Sequence, residues 1–169
     1  MAEQATLVLI KPDAIARGLV GAVLSRLEQL SLKLIGAKVA RVSQELAEAH
    51  YQALRDKPFF NELIQHIRGE LHHVEYVLAL VYAGPGAVAA VRQAAGATNP
   101  ETASPTSLRG SLGRMTTKGV MENILHASSD DQEAKREITL WFRPEELLVP
   151  LYASKSVDVR TRVWALFRA

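Results

Sequence analysis

The chain has 169 residues, 48% hydrophobic and 22% charged, so one globular domain is expected and disordered or fibrous classes are excluded. Cysteine is absent, which rules out disulfide frameworks, thiol nucleophiles and zinc held by thiolates. Twenty basic against eighteen acidic side chains leave a net charge of +2, too little for nonspecific nucleic-acid binding, and no apolar run approaches the ~18 residues of a membrane span.

Met1 to Ala5 carries neither a basic stretch nor an apolar core, so no secretion signal is expected and the cytoplasm is the expected compartment. Thr6 to Ile10 is a β-rich apolar run ended by Pro12 and Asp13, the pattern of a buried strand. Val20, Val23, Leu24, Leu27 and Leu30 recur at helical spacing and predict a first helix, after which 32–42 returns to an extended pattern. Ser43 is placed to cap a helix carrying Leu46, Ala49, His50 and Ala53. Pro58 opens a second helical stretch, Phe59 to Ile67, closed by Gly69. Val74 to Tyr82 reads as a third strand. Gly84-Pro85-Gly86 then turns the chain, with the proline at N1, into a helix over Ala87 to Ala95 with Gly96 at its C-cap.

Residues 97–122 show almost no periodicity, and structureless stretches beyond ~15 residues in compact domains tend to be functional loops. Asn123 to His126 is a short apolar strand, and Ser129 with Gln132 forms a capping box for a last helix with Ala134, Ile138 and Trp141 inward. The order β-α-β-α-α-β-α-loop-β-α predicts an α+β sandwich around an antiparallel sheet, of the split-βαβ kind. Gly84 to Ala89 also fits a GxGxxA dinucleotide fingerprint. That fingerprint needs a following strand with an acid ~20 positions on, whereas the breakers Gly96 to Pro100 follow, so it reads as a tight turn.

The candidates for chemistry are few: Lys11 at the end of the first strand, Arg92 in the helix after Gly86, Thr98 just beyond it, Arg109 in the long loop and His126 before the last helix. Each has an ordinary alternative when taken alone. Arg92 and Arg109 read as solvated cations, Lys11 as a charge blunting a strand end, His126 as a satisfied core histidine, and Glu137 as an exposed helix acid.

Taken together, a collinear series of motifs resembles the nucleoside diphosphate kinases. It comprises Thr6-Leu-Val-Leu-Ile-Lys-Pro-Asp13, Arg17-Gly-Leu-Val-Gly21, His50-Tyr51, Lys57-Pro-Phe-Phe60, Gly96-Ala-Thr-Asn-Pro100, Ser107-Leu-Arg-Gly110, Asn123-Ile-Leu-His-Ala-Ser128 and Glu137-Ile-Thr-Leu-Trp-Phe142. The resemblance covers residues 5 to about 148. It implies a ferredoxin-like α/β sandwich, a four-stranded antiparallel sheet covered by helices. It also implies ping-pong transfer of a γ-phosphate from a nucleoside triphosphate such as ATP to a nucleoside diphosphate, through a phosphohistidine, which maintains triphosphate pools. The nucleophile falls on His126, oriented by Glu137. A histidine of ordinary pKa ~6.5 is largely neutral near pH 7, and nearby cations discourage protonation further. By the same resemblance Arg92 and Thr98 hold the β-phosphate, Arg109 bridges toward the transferred group, Lys11 and Asn123 reach sugar hydroxyls and phosphates, and Tyr51 lies beside the reacting phosphate. Phe59 would stack on the base, with Val120 or Leu112 on its other face; its alternative is core packing, and of Phe59 and Phe60 one should point in and one out.

Mg²⁺ is implied as a passenger on the nucleotide phosphates rather than in a protein cage. Family members typically read His-Gly-Ser-Asp here, whereas this chain reads His126-Ala-Ser-Ser-Asp130, so Ser129 stands at the aspartate position, still able to cap, and Asp130 could reach the metal through water. Two insertions depart from the pattern, one around Glu70 to Glu75 and one within Gly113 to Gly119. His72 and His73, as neighbours on a strand, would face opposite sides and not share an ion. The second insertion, with Arg114 and Lys118, is expected to be mobile and to order over bound nucleotide.

The kinase-like domain is expected over 1–148, and 149–169 as a tail. Its stripe of Val159, Val163, Trp164, Leu166 and Phe167 is expected to pack on a subunit surface rather than on lipid. The resemblance implies a homo-oligomer, a hexamer, tetramer or dimer. Two other readings make different predictions. A regulatory nucleotide-binding module would bind ADP without turnover, and a single-strand nucleic-acid binder would show steeply salt-dependent binding.

Overall fold

The computed structural model describes residues 3–156, and its centre is the first strand. β1 (Glu3–Ile10) is flanked by β3 (Val77–Pro85) and β6 (Leu125–Ala127), and β2 (Lys33–Ala40) completes a sheet of order β2-β3-β1-β6 in which every pairing is antiparallel. Successive residues of β1 point to opposite faces, and both faces are covered. Leu7 and Leu9 join Ala79, Val81, Ile64, Ile67, Ile138 and Trp141 on one side. Val8 and Ile10 join Leu80, Val23, Leu27, Val91 and Leu108 on the other. This double burial makes the run from Thr6 to Ile10 continuously apolar rather than alternating.

The first face carries α3 (Gln44–His50), α4 (Phe60–Arg68) and α7 (Asp131–Trp141). The second carries α1 (Pro12–Ala16), α2 (Val20–Glu28), α5 (Ala87–Ala95) and α6 (Leu108–Leu112). The expected four-stranded antiparallel α/β sandwich is therefore the fold. Ser43 caps α3, its hydroxyl accepting from the Leu46 N–H at 3.1 Å, and Gly69 closes α4 at φ 84°. Among the described residues no helix is long and apolar enough to cross a membrane.

Several local expectations are corrected. The third strand begins at Val77, not Val74, because 69–74 folds back on itself: the His72 and Val74 N–H groups both donate to the Gly69 carbonyl. His72 and His73 thus sit in a turn, not on a strand. α4 starts at Phe60 rather than Phe59, since the Phe60 N–H still closes a turn on Lys57. Pro85 ends β3 instead of opening α5, and Gly86 at φ 66° makes the entry. The last strand starts two residues late because Ile124 is left-handed at φ 57°.

The stretch 97–122 is not featureless. It holds α6, capped by the Ser107 hydroxyl, and a hairpin of β4 (Arg114–Met115) and β5 (Met121–Glu122). The cap of α7 is Asp130, not Ser129: the Asp130 carboxylate accepts from the Glu133 N–H at 2.9 Å and from the Ser129 hydroxyl at 2.8 Å. Beyond α7, the Leu148 N–H donates to Ile35, and Val149, Leu151 and Tyr152 pack on the chain's own first core face. The stripe from Val159 to Phe167 lies outside the described residues.

Candidate active site

His126 is placed by the sheet, where it pairs with Leu9 of β1, and its side chain keeps 17% exposure. α7 brings Glu137 under it, with Oε1 2.9 Å from His126 Nε2, an ion contact without hydrogen-bond geometry that leaves Nε2 buried and unpartnered among the described residues. Burial fixes that carboxylate, because its other oxygen accepts from the Ser128 hydroxyl at 2.6 Å while Ser128 Oγ accepts from the Leu7 N–H at 3.1 Å. The acid is thereby tied to the central strand. Glu137 thus lies buried against His126 and not, as the ordinary alternative had it, exposed beside its helix neighbours. Arg136 Nη2 approaches to 4.0 Å, but its guanidinium is engaged by Glu133 and by the Ala49 and His50 carbonyls.

His50 stands edge-to-face with His126, ring centroids 4.4 Å apart, and its Nδ1 accepts from the Trp141 indole at 3.1 Å. His50, His126 and Glu137 bring ligand atoms within 4.8 Å of one another, the group of metal-ligating type among the described residues. The indole donation occupies His50 Nδ1, and a neutral imidazole that accepts there carries its proton on Nε2, which opposes metal ligation by His50.

Burial lowers the His126 pKa to about 3, with Lys11, Arg109 and Arg136 adding to the effect. Burial and the neighbouring His126 hold His50 well below its ordinary value too, and burial pushes Glu137 up. The imidazole is neutral at pH 7. With Nε2 facing a carboxylate, Nδ1 retains its lone pair.

Cations converge around it. Lys11 is buried, donates to Asn123 Oδ1 at 2.7 Å and has its pKa lowered to about 8, chiefly by burial. Asn123 Nδ2 in turn donates to the Thr98 carbonyl at 3.1 Å. Arg109 on α6 donates to the Gly96 and Leu125 carbonyls at 2.8 and 3.0 Å, and burial, then the charge of Arg92, lowers its pKa to about 10. It is not the solvated cation it could have been. Arg92 on α5 is exposed and lines a surface pocket with Gln4, Ser129 and Asp130.

Tyr51 follows α3, its ring 6.3 Å from that of His126, and burial raises its hydroxyl pKa. The Tyr51 hydroxyl and Arg109 Nε are buried without hydrogen-bond partners among the described residues. Phe59 is 51% exposed while Phe60 packs on the core, so one of the pair points out and one in. Val120 is half-buried in the hairpin turn, its N–H held by the Thr116 hydroxyl, whereas Leu112 packs against the second core face.

The sequence reading turned Trp141 inward but gave no site role to it or to Asp13, Ser128 and Arg136. Asp13 is wholly buried, its Oδ2 accepting from the Ile124 N–H at 2.8 Å and its Oδ1 3.1 Å from His66 Nε2. Burial opposes its charge, but His66 and Lys11 hold its pKa below the ordinary value. An aspartate between Pro12 and Ala14 looks like a turn former, and only the approach of residue 124 gives it another role.

A neutral imidazole beside a buried carboxylate, with the charges of Lys11 and Arg109 acting on it, suits phosphoryl transfer, which asks a protein for positioning and charge stabilisation. The nucleoside diphosphate kinase family description matches residues 4–147. A nucleoside diphosphate kinase of Pyrococcus horikoshii is 45% identical over 84% of this chain and 87% of its own, and one of Symbiobacterium thermophilum is 46% identical over 89% and 92%. Among solved structures, the Borrelia burgdorferi enzyme with vanadate and ADP is similar at a TM-score of 0.77 and 33% identity, over 90% of this chain and 93% of that one. The Halobacterium salinarum enzyme in complex with CDP reaches 0.78 at 36% identity, over 91% and 95%. The chain belongs to the nucleoside diphosphate kinase family, whose members are phosphotransferases.

Proposed function

We propose that this chain moves the γ-phosphate of a nucleoside triphosphate to a nucleoside diphosphate in two half-reactions through His126. The Nδ1 lone pair attacks the γ-phosphorus, the bond to the β-phosphate oxygen breaks, and the diphosphate leaves with that electron pair. A second diphosphate then attacks the phosphohistidine and frees the imidazole. No proton need leave the protein, because Nε2 keeps its own against Glu137. The single observation supporting this most is the 2.9 Å approach of Glu137 Oε1 to Nε2 of an imidazole held neutral.

The buried, unpartnered Tyr51 hydroxyl and Arg109 Nε supply donors that phosphate oxygens would satisfy. Arg92 and Thr98 would hold the β-phosphate, Lys11 and Asn123 the sugar hydroxyls and phosphates. Phe59 would stack on the base beside Val120, which reads a π-face and so accepts purines and pyrimidines alike. Leu112 is less suited, since it packs into the core. Mg²⁺ would arrive on the nucleotide and neutralise charge on the β- and γ-phosphates. Asp130 fits water-mediated contact with it, being an exposed carboxylate beside Arg92 in one pocket.

Residues 1–148 would form the kinase domain and 149–169 a tail whose first residues pack on the chain's own core, in a homo-oligomer, a hexamer, tetramer or dimer, working in the cytoplasm. Light scattering across protein concentration measures the assembly. Limited proteolysis at Arg114 and Lys118 with and without ADP tests whether the hairpin orders over nucleotide. The deciding experiment is incubation with γ-labelled ATP. Label should enter the protein, resist alkali, yield to acid and be chased by any nucleoside diphosphate, with His126→Asn taking none. A protein that binds ADP but takes no label would be the regulatory module instead.

A further inference from the structure

His72, in the 69–74 turn, meets Glu122 directly and reaches the Asp13 support of Ile124 through His66, and so bears on both neighbours of Asn123. On one side stands Glu122, a buried carboxylate. His72 Nε2 lies 3.1 Å from its Oε1, Arg114 Nε donates to its Oε2 at 2.6 Å, and Arg17 Nη1 lies 3.6 Å from the same oxygen. On the other side stands Ile124, left-handed at φ 57°, a conformation a β-branched residue keeps only where its surroundings over-determine it. Asp13 takes the Ile124 N–H and is itself met by His66. The His72 ring meets the His66 ring at a tilt of 37°, centroids 4.9 Å apart. One imidazole therefore contacts residue 122 itself and His66, the partner of the aspartate that supports residue 124.

The turn that presents His72 is fixed by its own backbone. Gly69, at φ 84°, admits no side chain, since a Cβ there would meet the Val74 carbonyl oxygen at 1.7 Å, and the His72 N–H returns to the Gly69 carbonyl at 3.1 Å. Arg114 opens the second insertion. The 69–74 turn and the β4–β5 hairpin thus meet on one carboxylate, next to the asparagine that holds Lys11.

We propose that His72 is a positioning residue of the nucleotide site: by bridging Glu122 and the His66–Asp13 pair it fixes Asn123, and through Asn123 the Lys11 ammonium, in the arrangement that receives nucleotide. This rests on the nucleotide-handling reading given above. His72 does not touch the reacting groups, so its loss acts on binding more than on turnover.

The test compares full-length wild type with His72→Ala, His72→Gln, Glu122→Gln and the double variant His72→Ala/Glu122→Gln. Calorimetry measures ADP binding, and steady-state assays give KM and kcat for phosphate transfer. His72→Ala should weaken ADP binding and raise KM by about 3- to 30-fold, with kcat moving less than KM. His72→Gln, whose amide can still donate to Glu122, should recover most of the loss, and the double variant should be no worse than the poorer single one.

Wild-type ADP binding by His72→Ala, a fall in kcat at constant KM, or additive losses in the double variant would each overturn the proposal. Should His72→Ala fail to melt cooperatively, the comparison of His72→Gln with Glu122→Gln decides. Binding near wild type in the first and weakened in the second supports it, and the reverse order sinks it. A wild type that binds ADP but takes no phosphate removes the kinase reading alone, and the ADP arm still tests His72. A wild type that binds no ADP removes both.

Discussion

His126 and Asn123 lie three residues apart, yet they are held by different means. His126 sits on a strand paired with the central β1, and the acid beneath it projects from an eleven-residue helix whose Ile138 and Trp141 are locked in the core. Asn123 sits outside regular structure, between a two-residue strand and a left-handed isoleucine; it keeps its place through hydrogen bonds with Lys11 and the Thr98 carbonyl, while Glu122 and Ile124 on either side are held by polar contacts of their own. Packing places the imidazole, and hydrogen bonds place the residues proposed to receive nucleotide. Disturbing the first region should therefore strike turnover and stability, whereas disturbing the second should strike binding.

The largest effect expected is on the imidazole side. Glu137→Gln keeps the shape but replaces the carboxylate facing Nε2 with an amide, which leaves the tautomer and orientation of His126 unset. Label uptake from ATP should slow by about 10³-fold, the scale of misorienting a catalytic histidine, with little change in ADP affinity. Rapid-quench measurement of the first half-reaction checks it, and an unchanged rate would show that Glu137 is only structural. On the other side, Arg109→Met should cost about 3 kcal/mol of transition-state stabilisation, roughly 100-fold in kcat/KM. Arg109 also ties the Gly96 and Leu125 carbonyls, so ADP affinity should fall with it. A variant that lost rate but not affinity would blur the contrast between the two regions.

The two regions also differ in how pH should reach them. With the His126 pKa near 3 in the fold against an ordinary 6.5, the imidazole stays neutral through mildly acid pH. Label uptake at saturating ATP should therefore be nearly flat from about pH 5.5 to 7.5, without the inflection near 6.5 of a free histidine. The same depression makes the unfolded chain bind more protons than the fold between 6.5 and 3, so this histidine's contribution to stability is complete above 6.5 and declines as pH falls through that window. The nucleotide side responds at the alkaline end. Lys11, with a pKa near 8, loses its charge as pH rises past that value, so KM for ADP should climb from pH 7.5 to 9 while kcat moves less. A KM flat across that range would mean that the Lys11 charge does not reach the nucleotide.

The same division explains what could be read from the sequence. β1, α5 and the caps at Ser43, Gly69 and Gly96 were legible because local patterning determines them: an apolar run, a helical period, a serine or glycine at the boundary. α1 and α6 span five residues each, too short for a period to repeat, and the β4–β5 hairpin pairs two residues with two. The candidate site was reached mainly through collinear motifs, since His126, Glu137 and Arg109 each had a plain alternative alone. The role of Asp13 depends on a backbone amide 111 positions away, and the contact of His72 with Glu122 on a side chain fifty positions away. No local pattern encodes such meetings.

The smallest predicted effect concerns the start of α7, where the chain departs from the usual motif. A free N-terminal turn of a helix wants a side-chain acceptor one residue before it, and here the Asp130 carboxylate fills that place while Ser129 only donates to it. Asp130→Ala should lower the melting temperature by about 2–4 °C, the usual consequence of losing one cap in a domain of this size. Ser129→Ala should lower it by less, because the carboxylate keeps its bond to the Glu133 N–H without the serine. Since α7 carries Glu137 two turns further on and Ser129 is given no part in the site, Ser129→Ala should leave label uptake within about twofold of wild type. A larger loss from Ser129→Ala than from Asp130→Ala would return the cap to residue 129. A fall in uptake with Asp130→Ala that excess Mg²⁺ relieves would support the water-mediated metal contact proposed for this acid, and uptake unchanged at limiting Mg²⁺ would confine it to the helix.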